Sequence, residues 1–380
     1  MKLHVLGPLP ALAAAAAFAS ASAAGAQSDP PAEPPPMPTA AAPAPVRPPA
    51  TDRLLVCNKA ENTLSIFAPS SQVELGAVPT GEGPHEVAVS PDGSVAVVTD
   101  YGAQRPGHTL TVVDIAAAKV LRTIDLVAPE QKQYLRPHGV QFVAERRVVV
   151  TSEALRRLLL VDVDSGAVLR TWATGQTTMH MVAVTADGRR AAASSVRDGN
   201  VVFFDLGDAP ASGEQPADGG TPPPMIATGD GAEGLAMHPQ RAEAWVGNRA
   251  ADTLSVVDGA TGAVATTFVT GRLPFRVAFT PDGTRTLVTC AESGELMVFD
   301  AAARRLVGEV SLQGDRSESS PLPMGVVSDP EGRFAYVACG RGEFVAVVDL
   351  EARAVVDRIA ARKGPDGIAY ARPRPRAVTR

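Results

Sequence analysis

The chain has 380 residues, 34 Gly and 33 Pro, with 4% aromatic residues and a formal net charge of −6. That length exceeds what one ordinary core fills, so several domains or one repetitive domain are expected. The acidic balance excludes a phosphate-gripping nucleic-acid binder, the scarcity of aromatics excludes a base-stacking groove, and 45% apolar residues exclude wholesale disorder.

Residues 1–26 read as a secretory signal peptide. Lys2 is the charge of a short n-region, an apolar stretch runs from about Leu9 to Phe18, and Ala24-Gly25-Ala26 offers a small-residue cleavage site. These features predict a periplasmic or secreted protein with no membrane span after signal cleavage. Residues 27–52 follow as a Pro/Ala-rich linker. Ten of the 24 residues from Gln27 to Ala50 are Pro, which favours an extended spacer that buries nothing. The cysteines are Cys57, Cys290 and Cys339, and an odd count leaves at least one free thiol. No CxxC or CxxCH spacing occurs, so no zinc ribbon and no c-type haem is expected. Three small buried thiols are the expected arrangement.

From residue 53 the chain repeats. Seven copies begin near Leu54, Ser94, Arg147, Arg189, Ala242, Thr284 and Arg333, at spacings of about 40 to 53 residues. Each copy gives a β-branched run, a turn, a second run ending near Asp and a third run. A fourth follows, as in PHEVAVSPDG at Pro84 or PFRVAFTPDG at Pro274. Apolar residues alternate or run on for four to six positions, which suits strands rather than helices. Ser90-Pro91-Asp92-Gly93 and Thr280-Pro281-Asp282-Gly283 carry type I turn chemistry, because Pro presets φ and Gly follows at the last position. Four strands per unit at this period predict an all-β fold, a seven-bladed β-propeller with four antiparallel strands per blade, over residues 53–372. The strands are A to D from the channel outward. The chain enters on strand B and leaves on strand A, so closure by a mixed blade of N- and C-terminal strands is expected. Residues 373–380 form a tail.

Units such as AWVGNRAADTLSVVDGATGAVATTFVTG resemble the YVTN-repeat β-propeller family over about residues 53–372. The stretch PHEVAVSPDG…VVTDYG is similar, over a shorter length, to lactonase-type propellers. The resemblance implies the fold and leaves the activity open.

The starts of strand A align as Pro84-His85-Glu86, Pro137-His138-Gly139, Met179-His180-Met181, Ala232-Glu233-Gly234, Pro274-Phe275-Arg276, Pro323-Met324-Gly325 and Pro365-Asp366-Gly367. His85, His138 and His180 share one column in successive blades, and Glu233 holds it in the next. Equivalent residues of the innermost strands form a ring at one height, so this column predicts a cluster at one channel mouth. The ends of strand B reach the same mouth with Tyr101, Glu153, Asn248 and Arg249. Three imidazoles and a carboxylate suit Zn²⁺ or Cu, with His85, His138, His180 and Glu233 as ligands. Glu86 or Glu153 is then the candidate catalytic base, and a metal would polarise an ester or lactone carbonyl. Tyr101, Asn248, Arg249, Arg276 and Asp366 are the candidate ligand-binding residues, the two arginines for a carboxylate. His108 and His238 fall outside the column. Gly229 to Gly234 matches GxGxxG by letters but precedes a strand, so it reads as a turn. Three functions remain open. One is a monomeric exported binding or scaffolding propeller of the cell envelope, taking a protein or small anionic ligand at the mouth. Another is a metal-dependent lactonase-like hydrolase, and the third is an accessory partner of a periplasmic redox enzyme.

Overall fold

A computed structural model describes residues 48–128, 132–207, 217–218, 220–314 and 319–374. The expected signal peptide of residues 1–26, the expected linker up to residue 47 and the tail from residue 375 lie outside the described residues, as do parts of three loops. Among the described residues every regular element is a strand. They form seven sheets in a ring, a seven-bladed β-propeller.

Blade 1 is the mixed one. Strands B to D are Arg53–Asn58, Thr63–Ala68 and Val73–Pro79, and strand A is Pro365–Ala371 from the other end of the chain. Strand A of blades 2 to 7 is Pro84–Val89, Pro137–Ala144, Met179–Val184, Ala232–Met237, Pro274–Phe279 and Pro323–Ser328. Each packs beside the strand A of the neighbouring blades, and together they line the channel. Strands B and C read as almost unbroken apolar runs because both faces are covered by adjacent blades. In blade 5, Trp245 of strand B is fully buried and packs on Phe268, Phe279 and Phe299, with Val277 and Val288 of blade 6 in the same cluster. Strand D faces solvent and alternates instead, as in Lys119–Asp125.

The turns follow their residue chemistry. The Asp92 carboxylate accepts the Ser94 amide at 3.0 Å and the Ser90 hydroxyl at 2.5 Å, closing Ser90–Gly93. Thr280–Gly283 repeats this with Asp282. Gly229–Gly234 is a turn into strand A of blade 5, not a phosphate loop. The Asp100–His108 insertion lengthens a hairpin of Val95–Gly102 with Pro106–Asp114.

Blade 3 departs from the four-strand expectation. Ala217–Asp218, from the long C–D connection of blade 4, pairs parallel to strand D of blade 3, Val168–Ala173. An outer strand leaves one row of backbone donors and acceptors unpaired, and here another part of the chain takes them. All three cysteines are buried and free.

Candidate functional site

Every strand A carries one extra residue near its start. In blade 2, Pro84 pairs with Asp100 and Val87 with Val98, so His85 and Glu86 share the span of Thr99. The same shift recurs in all seven blades. Such bulges re-aim side chains. In blades 2, 3, 4 and 6 strand B holds them in place through a hydroxyl. Thr99 accepts the Glu86 amide at 3.0 Å and donates to the His138 carbonyl of the next blade at 2.8 Å. Thr151 does the same for Gly139 and His180, and Ser194 for Met181 and Glu233. One hydroxyl thus fixes the bulge of its own blade and the height of the neighbouring column residue.

The column becomes a belt of touching side chains. The rings of His85 and His138 lie 4.1 Å apart between centroids, and those of His138 and His180 lie 3.7 Å apart. At one end, His85 Nδ1 is 2.6 Å from Asp366 Oδ2. At the other, His180 Nε2 is 3.1 Å from Glu233 Oε1. Glu233 is also held by Arg249 and, at 3.4 Å, by Arg276. Arg276 then reaches across the channel from blade 6 to Glu86 of blade 2, with its Nε 3.0 Å from Oε1. Lys59 joins the Asp366 end at 3.3 Å. Beyond the Glu86–Arg276 pair the channel opens into a cavity of about 440 Å³, lined by aliphatic residues such as Val87, Val182, Leu235, Val277 and Ile368.

Burial and charge set the ionisation. Burial lowers the His138 pKa well below the ordinary imidazole value, and His180, His85, Arg276 and Lys59 push it the same way. The ring is therefore neutral at pH 7. Burial pushes Glu233 upward, but His180, Arg276 and Arg249 outweigh it and bring the carboxyl to about 2. Asp366 is likewise held below the usual carboxylate range, because His85, Lys59 and Arg276 overcome its burial. Arg276 stays charged despite burial through Glu86, Glu233 and Asp366.

Several donors and acceptors are left over. His138 is 0% exposed, and neither of its ring nitrogens has a hydrogen-bond partner in the protein. His180 Nδ1 and Asp366 Oδ1 are buried in the same state. Each such atom costs on the order of 1–3 kcal/mol if nothing pairs with it. Tyr101 covers this stretch of the belt. Its ring lies 5.3 Å from those of both His85 and His138, and Arg136 sits 4.8 Å above it. The Tyr101 hydroxyl donates to Glu153 at 2.6 Å, and burial together with Glu153 raises its pKa to about 12.

The structure thus gathers His85, Glu86, His138, His180, Glu233, Arg249, Arg276 and Asp366, with Tyr101 above them. Asn248 stands apart, because its amide donates to Thr253 and Ser255 within blade 5. Glu153 reaches Tyr101 rather than the belt. The donor atoms of His85, His138, His180 and Glu233 do not converge. Among the described residues, the His, Cys, Asp and Glu side chains whose donor atoms all lie within 4.8 Å of one another are His85, Glu86 and Asp366. Sequence reasoning missed Lys59 and Arg136. Lys59 follows strand B of blade 1 at the position Arg249 holds in blade 5, and Arg136 directly precedes strand A of blade 3. The Thr99, Thr151 and Ser194 hydroxyls were missed too, although they hold one register on strand B. His108 is half-exposed and pairs with Asp125 at 2.8 Å. His238 braces a turn, accepting the amides of Gln240 and Arg241 and donating to the Gly283 carbonyl.

Comparison with protein-family models and with curated proteins gives no match. Among solved structures, the chain is similar to a functionally unknown protein from Desulfotomaculum acetoxidans DSM 771. The TM-score is 0.68 at 14% identity, over 85% of this chain and 99% of that one. At this identity the likeness shows the fold alone.

Proposed function

We propose that this chain is an exported β-propeller that binds a small ligand in the polar belt at one mouth of its channel. The observation that carries the reading is His138, fully buried with both ring nitrogens unpartnered. Buried polar atoms are nearly always paired, so a fold that maintains such a residue at the centre of a belt is arranged for something the belt receives. The site lies beneath Tyr101, which favours a small molecule or ion over a protein surface. Export rests on the signal-peptide pattern of residues 1–26.

Binding without turnover is favoured by the state of the carboxylates. Glu86 is paired with Arg276 across the channel. Glu153 is engaged with Tyr101. Neither is placed as a general base for lactone hydrolysis.

A thermal-shift panel tests this reading. The purified chain is melted with carboxylates, oxyanions, lactones and first-row metal salts. At saturating concentration at least one compound should raise the melting point by a few degrees, and His138→Gln should abolish that rise. If no member shifts the wild type, or if a lactone is consumed catalytically, the binding reading fails.

A further inference from the structure

Resting on the reading of the belt as a ligand site, we propose that its ligand is a divalent transition-metal ion of the Zn²⁺ or Cu²⁺ type. The ion is held by His85, Glu86 and Asp366, and His138 completes the set. The donor atoms of the first three already lie within 4.8 Å of one another. Two ligands at about 2.1 Å from one ion stand about 3.4 Å apart in a tetrahedron, so these three close by shifts of about an ångström, and His138, outside that cluster, turns in to join them.

Two further observations, of unpartnered buried atoms, point to the same place. Asp366 is 3% exposed, and its Oδ1 has no partner although Oδ2 is taken by His85 and Lys59. A carboxylate oxygen buried with a free lone pair is ready for a cation. The His138 ring stands 4.1 Å from that of His85, with both nitrogens unpartnered. A neutral imidazole has one lone pair to give, which is the form a metal takes.

The competing cations can withdraw. The Lys59 side chain is 40% exposed and reaches Asp366 from the solvent side, so it can swing out as the ion enters. Arg276 keeps Glu233 when Glu86 turns toward the metal, so no guanidinium is stranded. Two carboxylates balance a divalent charge. Imidazole with few oxygens, and no thiolate in the set, selects Zn²⁺ or Cu²⁺ over Ca²⁺ and Mg²⁺, which demand six or more oxygens or several waters. The proposed set differs from the column pattern, because Glu233 is consumed by Arg249 and Arg276 while Glu86 and Asp366 take its place.

The full chain, stripped with a chelator, is titrated with ZnCl₂ and CuSO₄ by calorimetry. One equivalent should bind with a Kd of about 1 μM or tighter. Asp366→Asn and His138→Gln should each weaken binding by at least about tenfold. His108→Ala removes the half-exposed His108–Asp125 pair and should change nothing. The Cu²⁺ electron paramagnetic resonance spectrum should show splitting from two imidazole nitrogens in the wild type and one in His138→Gln. The wild-type nitrogen count decides the matter even if a belt variant fails to fold. Absence of binding by the wild type at 100-fold higher ion concentration, a spectrum without nitrogen splitting, or loss of binding in His108→Ala would each overturn the metal. If another compound of the melting panel acts through His138 while no metal binds, the metal fails and the binding reading stands. If neither occurs, both fail.

Discussion

Asp100 sits at the end of strand B in blade 2, at the position that Asn58 holds in blade 1 and Asn248 in blade 5. Asn58 serves Thr63 and Ser65, Asn248 serves Thr253 and Ser255, and Asp100 accepts from Thr109 and Thr111 at 2.7 and 2.9 Å. The geometry is shared, but only Asp100 carries a charge into it. It is 1% exposed, and burial raises its pKa to about 6 in spite of bonds from Thr109, Thr111 and the Gly81 amide. A carboxyl with a raised folded pKa binds more protons folded than unfolded between about pH 4 and 6. Stability therefore falls as pH rises through that window and stays lowered above it. Asp100→Asn removes the ionisation and installs the side chain that blades 1 and 5 use. Denaturant titrations should show a variant more stable than wild type at pH 7, by up to about 3 kcal/mol, with the gain vanishing near pH 4. A difference that did not vary with pH would contradict this account. The His column was legible at this scale, because repeats bring equal residues to equal heights. The ion pairs were not, since which carboxylate takes which arginine depends on side-chain directions across the ring.

At the scale of the strand, the bulge decides what the channel mouth contains. The residue after the column is Gly in blades 3, 5, 7 and 1, and Glu86, Met181 or Arg276 in the rest. A Cβ at Gly234 would stand 2.6 Å from the Phe275 carbonyl oxygen, and one at Gly367 would stand 2.3 Å from that of His85. The missing side chain lets neighbouring inner strands approach, and this draws the column residues into contact. Gly234→Ala should therefore cost about 1–3 kcal/mol in urea unfolding, because the strand of blade 6 that carries Arg276 must move. Gly314→Ala, where an added Cβ meets nothing within 4 Å, should be neutral. Equal behaviour of the two would remove the close-approach argument. The PDG turns and strand runs were readable from the sequence because their causes are local. The bulge was not, since it is an offset between two strands and neither strand alone shows it.

At the scale of the molecule, the ring holds only if its two chain ends stay together. Strand A of blade 1 pairs with strand B through Val56–Ile368 and Leu54–Tyr370. Asp52, fully buried, fastens the seam by accepting from the Tyr370 hydroxyl at 2.7 Å and from Arg372 at 2.6 Å. Asp52→Ala leaves the Tyr370 hydroxyl without its acceptor and Arg372 with Glu331 alone, and should lower the unfolding free energy by about 1–3 kcal/mol, read from the denaturation midpoint. An unchanged midpoint would show that backbone pairing alone closes the ring. The sequence by itself determined the seven units, their four strands, the mixed closure and the imidazole column, because each is a period or an alignment along the chain. Tertiary structure alone decided that Glu233 is bound up with Arg249 and Arg276, that Glu86 spans the channel, and that His138 is left without a partner. Those outcomes depend on distances between blades up to 190 residues apart along the chain, as for Glu86 and Arg276, and only closing the ring sets such distances.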